Sequence, residues 1–172
     1  MAELSRRSFI KLGGGAAAAG ATAVVPHQAL AKSATERVGA TVLPYPIKNL
    51  GNAKKLPLNT AVNFSYPDES SPCAVIRMGY PVPGGVGPNK DIVAYNTMCT
   101  HMGCPVAYDS SSRNFKCPCH FSVFDSEKDG QMVTGQATEN LPVIQLAYDS
   151  KDGSISAIGV EGLLFGRQSN IL

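Results

Sequence analysis

Four cysteines and two histidines fall in two short stretches of this chain. "NTMCTHMGCPV", residues 96–106, carries Cys99, His101 and Cys104, and "CPCHFSVFD", starting at residue 117, carries Cys117, Cys119 and His120. Thiolate sulfur and imidazole nitrogen are ligands for zinc, copper and iron. Most such sites take four ligands, so six donors leave two for another purpose. A structural zinc site would use four of the six. Zinc knuckles, however, usually pair like with like, whereas each stretch here mixes the two types. A mononuclear reactive metal would keep an open position, usually with histidines or a carboxylate around it. A [2Fe–2S] cluster held by two thiolates on one iron and two imidazoles on the other needs two of each, and two loops giving one Cys and one His supply that set.

The elements that must carry these loops read as β-strands. Residues 61–66 ("AVNFSY"), 73–78 ("CAVIRM") and 91–96 ("DIVAYN") have β-like composition, and the last delivers the chain into the first stretch. Residues 106–116 read as a hairpin turning at the polar 109–114 and delivering the chain into the second. Asp129-Gly130 and Asp152-Gly153 each stand between two β-like runs, as turns do. Residues 32–60 read as irregular, broken by Pro44, Pro46 and Pro57, with Thr41–Leu43 as a short edge strand. "GYPVPGGVGPNK" lacks the Gly-Lys-Ser/Thr ending of a phosphate cradle and precedes no helical pattern, so it reads as a loop. The predicted class is all-β and antiparallel. A length of 172 residues with 17 glycines, 12 prolines and no tryptophan suits one turn-rich domain with a proper core.

The first 31 residues read separately from the fold. Arg6-Arg7, then Phe9-Ile10-Lys11, an apolar run from Leu12 to Val25, and Ala29-Leu30-Ala31 follow the order of a twin-arginine export signal. The apolar run is 14 residues long and holds four glycines, Gly13, Gly14, Gly15 and Gly20. A membrane span takes about 20 apolar residues, so cleavage after Ala31 is expected rather than retention as an anchor. The twin-arginine route carries folded proteins, which suits a cofactor inserted before export to the periplasm. Removing the signal takes Arg6, Arg7, Lys11 and Glu3 from the 15 basic and 13 acidic residues and leaves 12 of each. No basic stripe remains for nucleic acid, and no net charge steers the chain toward anionic lipid. His27 falls inside the signal. Cys73 reads as a buried, unpaired thiol.

"CTHMGC" and "CPCHFS" resemble the two boxes of the Rieske iron–sulfur family, C-x-H-x-G-C and C-x-C-H-x-S. The resemblance implies an antiparallel Rieske fold, a sandwich- or barrel-like base with an inserted cluster-binding part of two hairpin loops. That domain would span residues 32–172, with the cluster-binding part at about 96–142. It implies that Cys99 and Cys117 hold one iron of a single [2Fe–2S] cluster and His101 and His120 the other. It implies a disulfide between Cys104 and Cys119, which export from the cytoplasm favours. Exchanging two thiolates for neutral imidazoles lowers the negative charge of the cluster and lifts its potential to about −150 to +300 mV, against about −400 mV for plant-type ferredoxins. Ser122 stands where the high-potential members place a hydrogen-bond donor to a cluster sulfide. Phe124 stands where they place a tyrosine that donates to a cysteine ligand, so a lower potential is expected here. The covering loop, commonly Gly-Pro-x-Pro-x-Asn-Leu, is "GQATENL" at 135–141, with Gln136 and Thr138 in place of the prolines.

Within that family, carriers for ring-hydroxylating oxygenases lack an export signal and the second cysteine pair. Subunits of cytochrome bc complexes remain the alternative, but they usually keep an anchor, the tyrosine and the prolines. The chain resembles the small subunits of arsenite oxidases over most of its mature length. The likeness runs through "SYPDESSPCAVIRMG", "GGVGPNKDIVAYNTMCTHMGCPV", "KCPCHFSVFD", "GQATENLP" and the tail "GVEGLLFGRQSNIL". It implies a large molybdopterin-containing partner subunit that oxidises arsenite to arsenate. It also implies a cytochrome c or small copper protein as electron acceptor. No catalytic residue is expected on this chain.

Overall fold

The computed structural model describes residues 45–171; the export signal and the expected edge strand at Thr41–Leu43 lie outside them. The fold is all-β and antiparallel, as predicted. Its strands are β1 (Lys48–Asn52), β2 (Ala61–Ser65), β3 (Pro72–Arg77), β4 (Ile92–Asn96), β5 (Ala107–Asp109), β6 (Asn114–Lys116), β7 (Val123–Asp125), β8 (Gln131–Thr134), β9 (Val143–Tyr148) and β10 (Ser154–Glu161). Six of them form one sheet in the order β1-β10-β9-β4-β3-β2, and β5-β6-β7-β8 form a second, contiguous in sequence and inserted between β4 and β9. One short 3-10 helix, Ala53–Lys55, follows β1.

β3 and β4 explain how base and insertion share a core. Side chains on a strand alternate between its two faces. Cys73, Val75, Ile92 and Ala94 point into a core with Tyr66, Ile144, Ile155 and Leu164. Ala74, Ile76, Val93 and Tyr95 point the other way, into a core with Phe115, Phe124 and Leu141. A strand buried on both faces reads as a continuous apolar run rather than an alternation, as "CAVIR" and "IVAY" do. The second core also contains Cys99 and Cys117. The cluster loops are therefore rooted in packed hydrophobic structure rather than hung on mobile turns.

β1 departs from expectation, since residues 32–60 read as irregular. Its sequence, Lys-Asn-Leu-Gly-Asn, has little β character. It is an edge strand, its pairing with β10 is broken by a bulge between Asn49 and Gly51, and Gly51 has φ of +100°. Polar residues and bulges are how exposed edges avoid pairing with other chains, and they erase the strand pattern. Both Asp-Gly turns form where expected. At the first, Asp129 and Gly130 both have positive φ, and the Gln131 N–H donates to the Lys128 carbonyl, a type I′ geometry that suits Asp-Gly. At the second, the Gly153 N–H donates back to the Asp149 carbonyl.

After β10 the chain folds back over the base. Leu164 is buried, and buried Asn170 ties the segment together. Its Oδ1 accepts the Leu164 N–H at 2.8 Å, and its Nδ2 donates to the Gly162 carbonyl at 2.7 Å. Arg167 grips Asp68 in the β2–β3 turn with two N–H donors, at 2.6 and 2.9 Å.

Candidate metal centre

β4 ends at Asn96, whose fully buried side chain fixes the root of the first loop. Its Nδ2 donates to the Pro72 carbonyl at 2.8 Å, and its Oδ1 accepts the Met98 N–H at 3.0 Å. The loop closes through two backbone bonds of 2.8 Å, from Cys99 N–H to the Cys104 carbonyl and from Gly103 N–H to the Cys99 carbonyl. Gly103 takes φ of +72°, a left-handed conformation for which glycine is suited. The second loop closes through Cys117 N–H to the Ser122 carbonyl, also at 2.8 Å. These turns place donors from the two loops face to face.

Cys99 and Cys117 are buried, and the rings of His101 and His120 meet edge to face with centroids 4.7 Å apart. Burial pushes the Cys99 thiol above its ordinary range; the His101 backbone N–H pulls the other way, and the neighbouring Cys117 thiol adds to the rise. A thiol so placed stays protonated unless something positive takes the proton's place. His101 Nδ1 is the single buried side-chain polar atom among the described residues without a hydrogen-bond partner. Buried polar atoms are nearly always paired, so an orphan ring nitrogen against a second imidazole fits a residue that would hold a metal group. The donor set fits a [2Fe–2S] cluster of two-thiolate, two-imidazole type.

The other two cysteines are joined. Cys104 and Cys119 form a disulfide with S–S 2.07 Å, across a sequence separation of 15. The Cys117 sulfur lies within 4.8 Å of both bridge sulfurs. Sulfurs bonded to each other are not thiolate donors, so that three-cysteine group is not itself a metal site. The bridge links the loops without consuming any of the remaining four donors.

Ser122 is fully buried, and its Oγ accepts the N–H groups of Gln136 at 3.1 Å and Ala137 at 3.0 Å. Two accepted bonds use both oxygen lone pairs and leave the O–H proton to donate elsewhere. The segment 135–141 is held against this serine by close approach. A Cβ added at Gly135, where φ is +105°, would stand 2.3 Å from Ser122 Cα. Phe124 is fully buried in the same core cluster as Cys99 and Cys117, in register with Phe115 on β6 and Met132 on β8.

Several supporting residues had no signal in the sequence. Thr100 Oγ donates to the Glu139 carbonyl at 2.8 Å, joining the first loop to the 135–141 segment. Asn140 Oδ1 accepts the Met132 N–H at 3.0 Å, and buried Tyr95 donates to the Ser126 carbonyl at 2.8 Å, tying β4 to the β7–β8 turn. Such polar contacts depend on tertiary register, which no local pattern reveals. Cys73, as expected, is a buried free thiol. Burial pushes it up to about 12, against the opposing bond from Asn96 Nδ2.

The sheet arrangement and the mixed Cys and His loops define the class: an all-β protein of the Rieske [2Fe–2S] kind. The profile of the Rieske [2Fe-2S] domain matches residues 48–145, and that of the twin-arginine translocation pathway signal matches residues 3–23. The chain belongs to the Rieske family, its cofactor is a [2Fe–2S] cluster, and its signal directs it to the periplasm. It is 34% identical over 170 residues to the iodate reductase subunit IdrB of Denitromonas iodatirespirans, covering 97% of this chain and 86% of that protein. The likeness to the cytochrome bc1 complex Rieske iron-sulfur subunit of Streptomyces lividans is 35% over 72 residues, 41% of this chain and 42% of the other. Among solved structures, the soluble domain of Rieske protein II from Sulfolobus acidocaldarius shares the fold. Its TM-score is 0.61 at 24% identity, covering 69% of this chain and 80% of that one.

Proposed function

We propose that this chain is the small electron-transfer subunit of a periplasmic oxidoreductase whose large subunit holds molybdopterin, in the manner of arsenite oxidase. The observation that carries the reading over a cytochrome bc subunit is the extent of likeness; the choice of arsenite rests on the sequence resemblance alone. A reductase subunit matches 97% of the chain, whereas the cytochrome bc1 relative matches 41% of it. A fixed partner subunit would recognise surface beyond the cluster loops, which are common to the whole family. A cytochrome bc subunit is accordingly the weaker alternative.

In this reading Cys99 and Cys117 hold one iron, His101 and His120 the other, and residues 96–142 form the cluster-binding part of a mature chain that starts after Ala31. A [2Fe–2S] cluster held there would supply one-electron transfer. Buried Cys99 and Cys117 keep water from the sulfur side. His101 and His120 form the path outward, since His120 is exposed and His101 half-buried. Ser122 would donate its free proton toward a bound cluster, and Phe124 fills its place without a donor, which would hold the potential below that of members with a tyrosine there. The Cys104–Cys119 bridge keeps the loops together as the charge changes. Oxidation of arsenite to arsenate consumes one water and releases two protons and two electrons, all on the large subunit. The electrons pass singly through this chain to a cytochrome c or small copper protein.

A second reading is favoured by the relatives themselves, which are named for iodate reduction. Electrons would then run the other way, from a periplasmic donor through this chain to the large subunit. Purification of the native complex separates the readings. A molybdenum-containing partner with arsenite-dependent dye reduction supports the first. Iodate-dependent oxidation of a reduced dye supports the second, and copurification with a membrane-bound cytochrome b overturns both.

A further inference from the structure

The tail after β10 reaches the first cluster loop through the Phe165 side chain. The Phe165 ring lies against Gly103, so closely that a Cβ added there would stand 2.5 Å from Phe165 Cδ1 and 2.6 Å from Cε1. Gly103 sits in the turn that closes the loop, donating its N–H to the Cys99 carbonyl at 2.8 Å. Phe165 remains 36% exposed, so its ring is a wall between this turn and solvent rather than a core residue. The tail itself is pinned. Arg167 binds Asp68 with both terminal nitrogens and Ser70 Oγ at 2.9 Å, and Asn170 ties the tail to Gly162 and Leu164. A two-donor guanidinium–carboxylate pair fixes direction as well as distance. The base is thus coupled through the pinned tail to the turn between Cys99 and Cys104.

We propose that Phe165 is a positioning residue for the first cluster loop, and that the Asp68–Arg167 pair acts through it. The proposal rests on Cys99 and His101 being cluster ligands. Phe165 holds the turn in one geometry and keeps water from its outer face. Without the ring the turn loosens, and water approaches the cluster from that side. Water favours the more negatively charged reduced state, so the potential rises.

The test uses the full chain purified with its cluster, as wild type and as the Phe165→Ala, Phe165→Leu and Arg167→Met variants. Amide hydrogen exchange at Cys99 and Gly103 and the reduction potential are read for each. In Phe165→Ala, exchange at these two amides is expected to rise about tenfold, the equivalent of about 1.4 kcal/mol of local stability, with a shift of the potential upward. Phe165→Leu restores most of both, and Arg167→Met moves both in the same direction by less. Unchanged exchange and potential in Phe165→Ala, with the cluster retained, overturns the proposal. If that variant does not fold, Arg167→Met decides on the same two readouts. Absence of a Rieske EPR signal from the wild type would overturn the ligand reading instead, while the exchange data would still decide whether Phe165 braces the loop.

Discussion

Replacing Ser122 by alanine separates the serine's structural and electronic roles. Its Oγ accepts two backbone N–H bonds, from Gln136 and from buried Ala137, and its own proton is free to reach the cluster. Alanine leaves the Ala137 N–H buried and unpaired, which costs about 1–3 kcal/mol, whereas Gln136, on an exposed residue, can turn to water. A loss of about 2 kcal/mol lowers the melting temperature of a domain this size by about 6 °C. The electronic effect is independent. A hydrogen bond to a cluster sulfide strengthens as the cluster gains negative charge. If the reduced state loses about 1.4 kcal/mol more than the oxidised one, the potential of this one-electron couple falls by about 60 mV. Thermal unfolding followed by circular dichroism and redox titration followed by EPR measure the two effects on the same sample. A melting loss with an unchanged or raised potential would refute the claim that the hydroxyl proton serves the cluster. An unchanged melting temperature would refute the two-bond anchor.

Phe124→Tyr should raise the potential by about 60 mV if the added hydroxyl donates to a ligand sulfur, and redox titration showing no rise or a fall would sink that idea. Cys104→Ser with Cys119→Ser removes a cross-link over a 15-residue separation, worth about 3 kcal/mol by chain entropy, so the unfolding midpoint in urea should fall while the cluster still assembles. An unchanged midpoint would mean that the bridge is not a clasp. Arg167 beside Asp68 holds that carboxyl well below the usual range, aided by Ser70 and Ser71 against the opposing effect of burial. A depressed folded-state value means stability that is present above the unfolded-state value near pH 4 and lost as pH falls through the folded-state value. The stability difference between wild type and Asp68→Asn should therefore be constant from neutral pH to about 4 and shrink below it. A difference that grows on acidification contradicts the pairing.

The two motif loops were legible because their chemistry is unusual. Mixed Cys and His knuckles with this spacing fit few metals; the structure buries Cys99 and Cys117 in one core cluster and sets the His101 and His120 rings edge to face. β3 and β4 were legible because burial on both faces leaves an unbroken apolar run, and the Asp-Gly turns because few residues tolerate positive φ. β1 was not, because an edge strand with a bulge at Gly51 carries no alternation. The contact of Thr100 with Glu139 and the seat of Phe165 on Gly103 were invisible for another reason. Each joins segments more than thirty residues apart, and nothing in either segment alone names its partner. The "GQATENL" segment lacks both prolines expected of a covering loop, yet it remains anchored through Ser122 and Asn140. Those polar contacts do what rigid φ angles would do elsewhere.

Pulsed EPR on the reduced full chain tests the central claim most directly. A cluster held by Cys99, Cys117, His101 and His120 predicts strong hyperfine couplings from two coordinated nitrogens, with one of them lost in His120→Cys. A colourless, EPR-silent protein carrying stoichiometric zinc, or a [2Fe–2S] signal without nitrogen coupling, would contradict it.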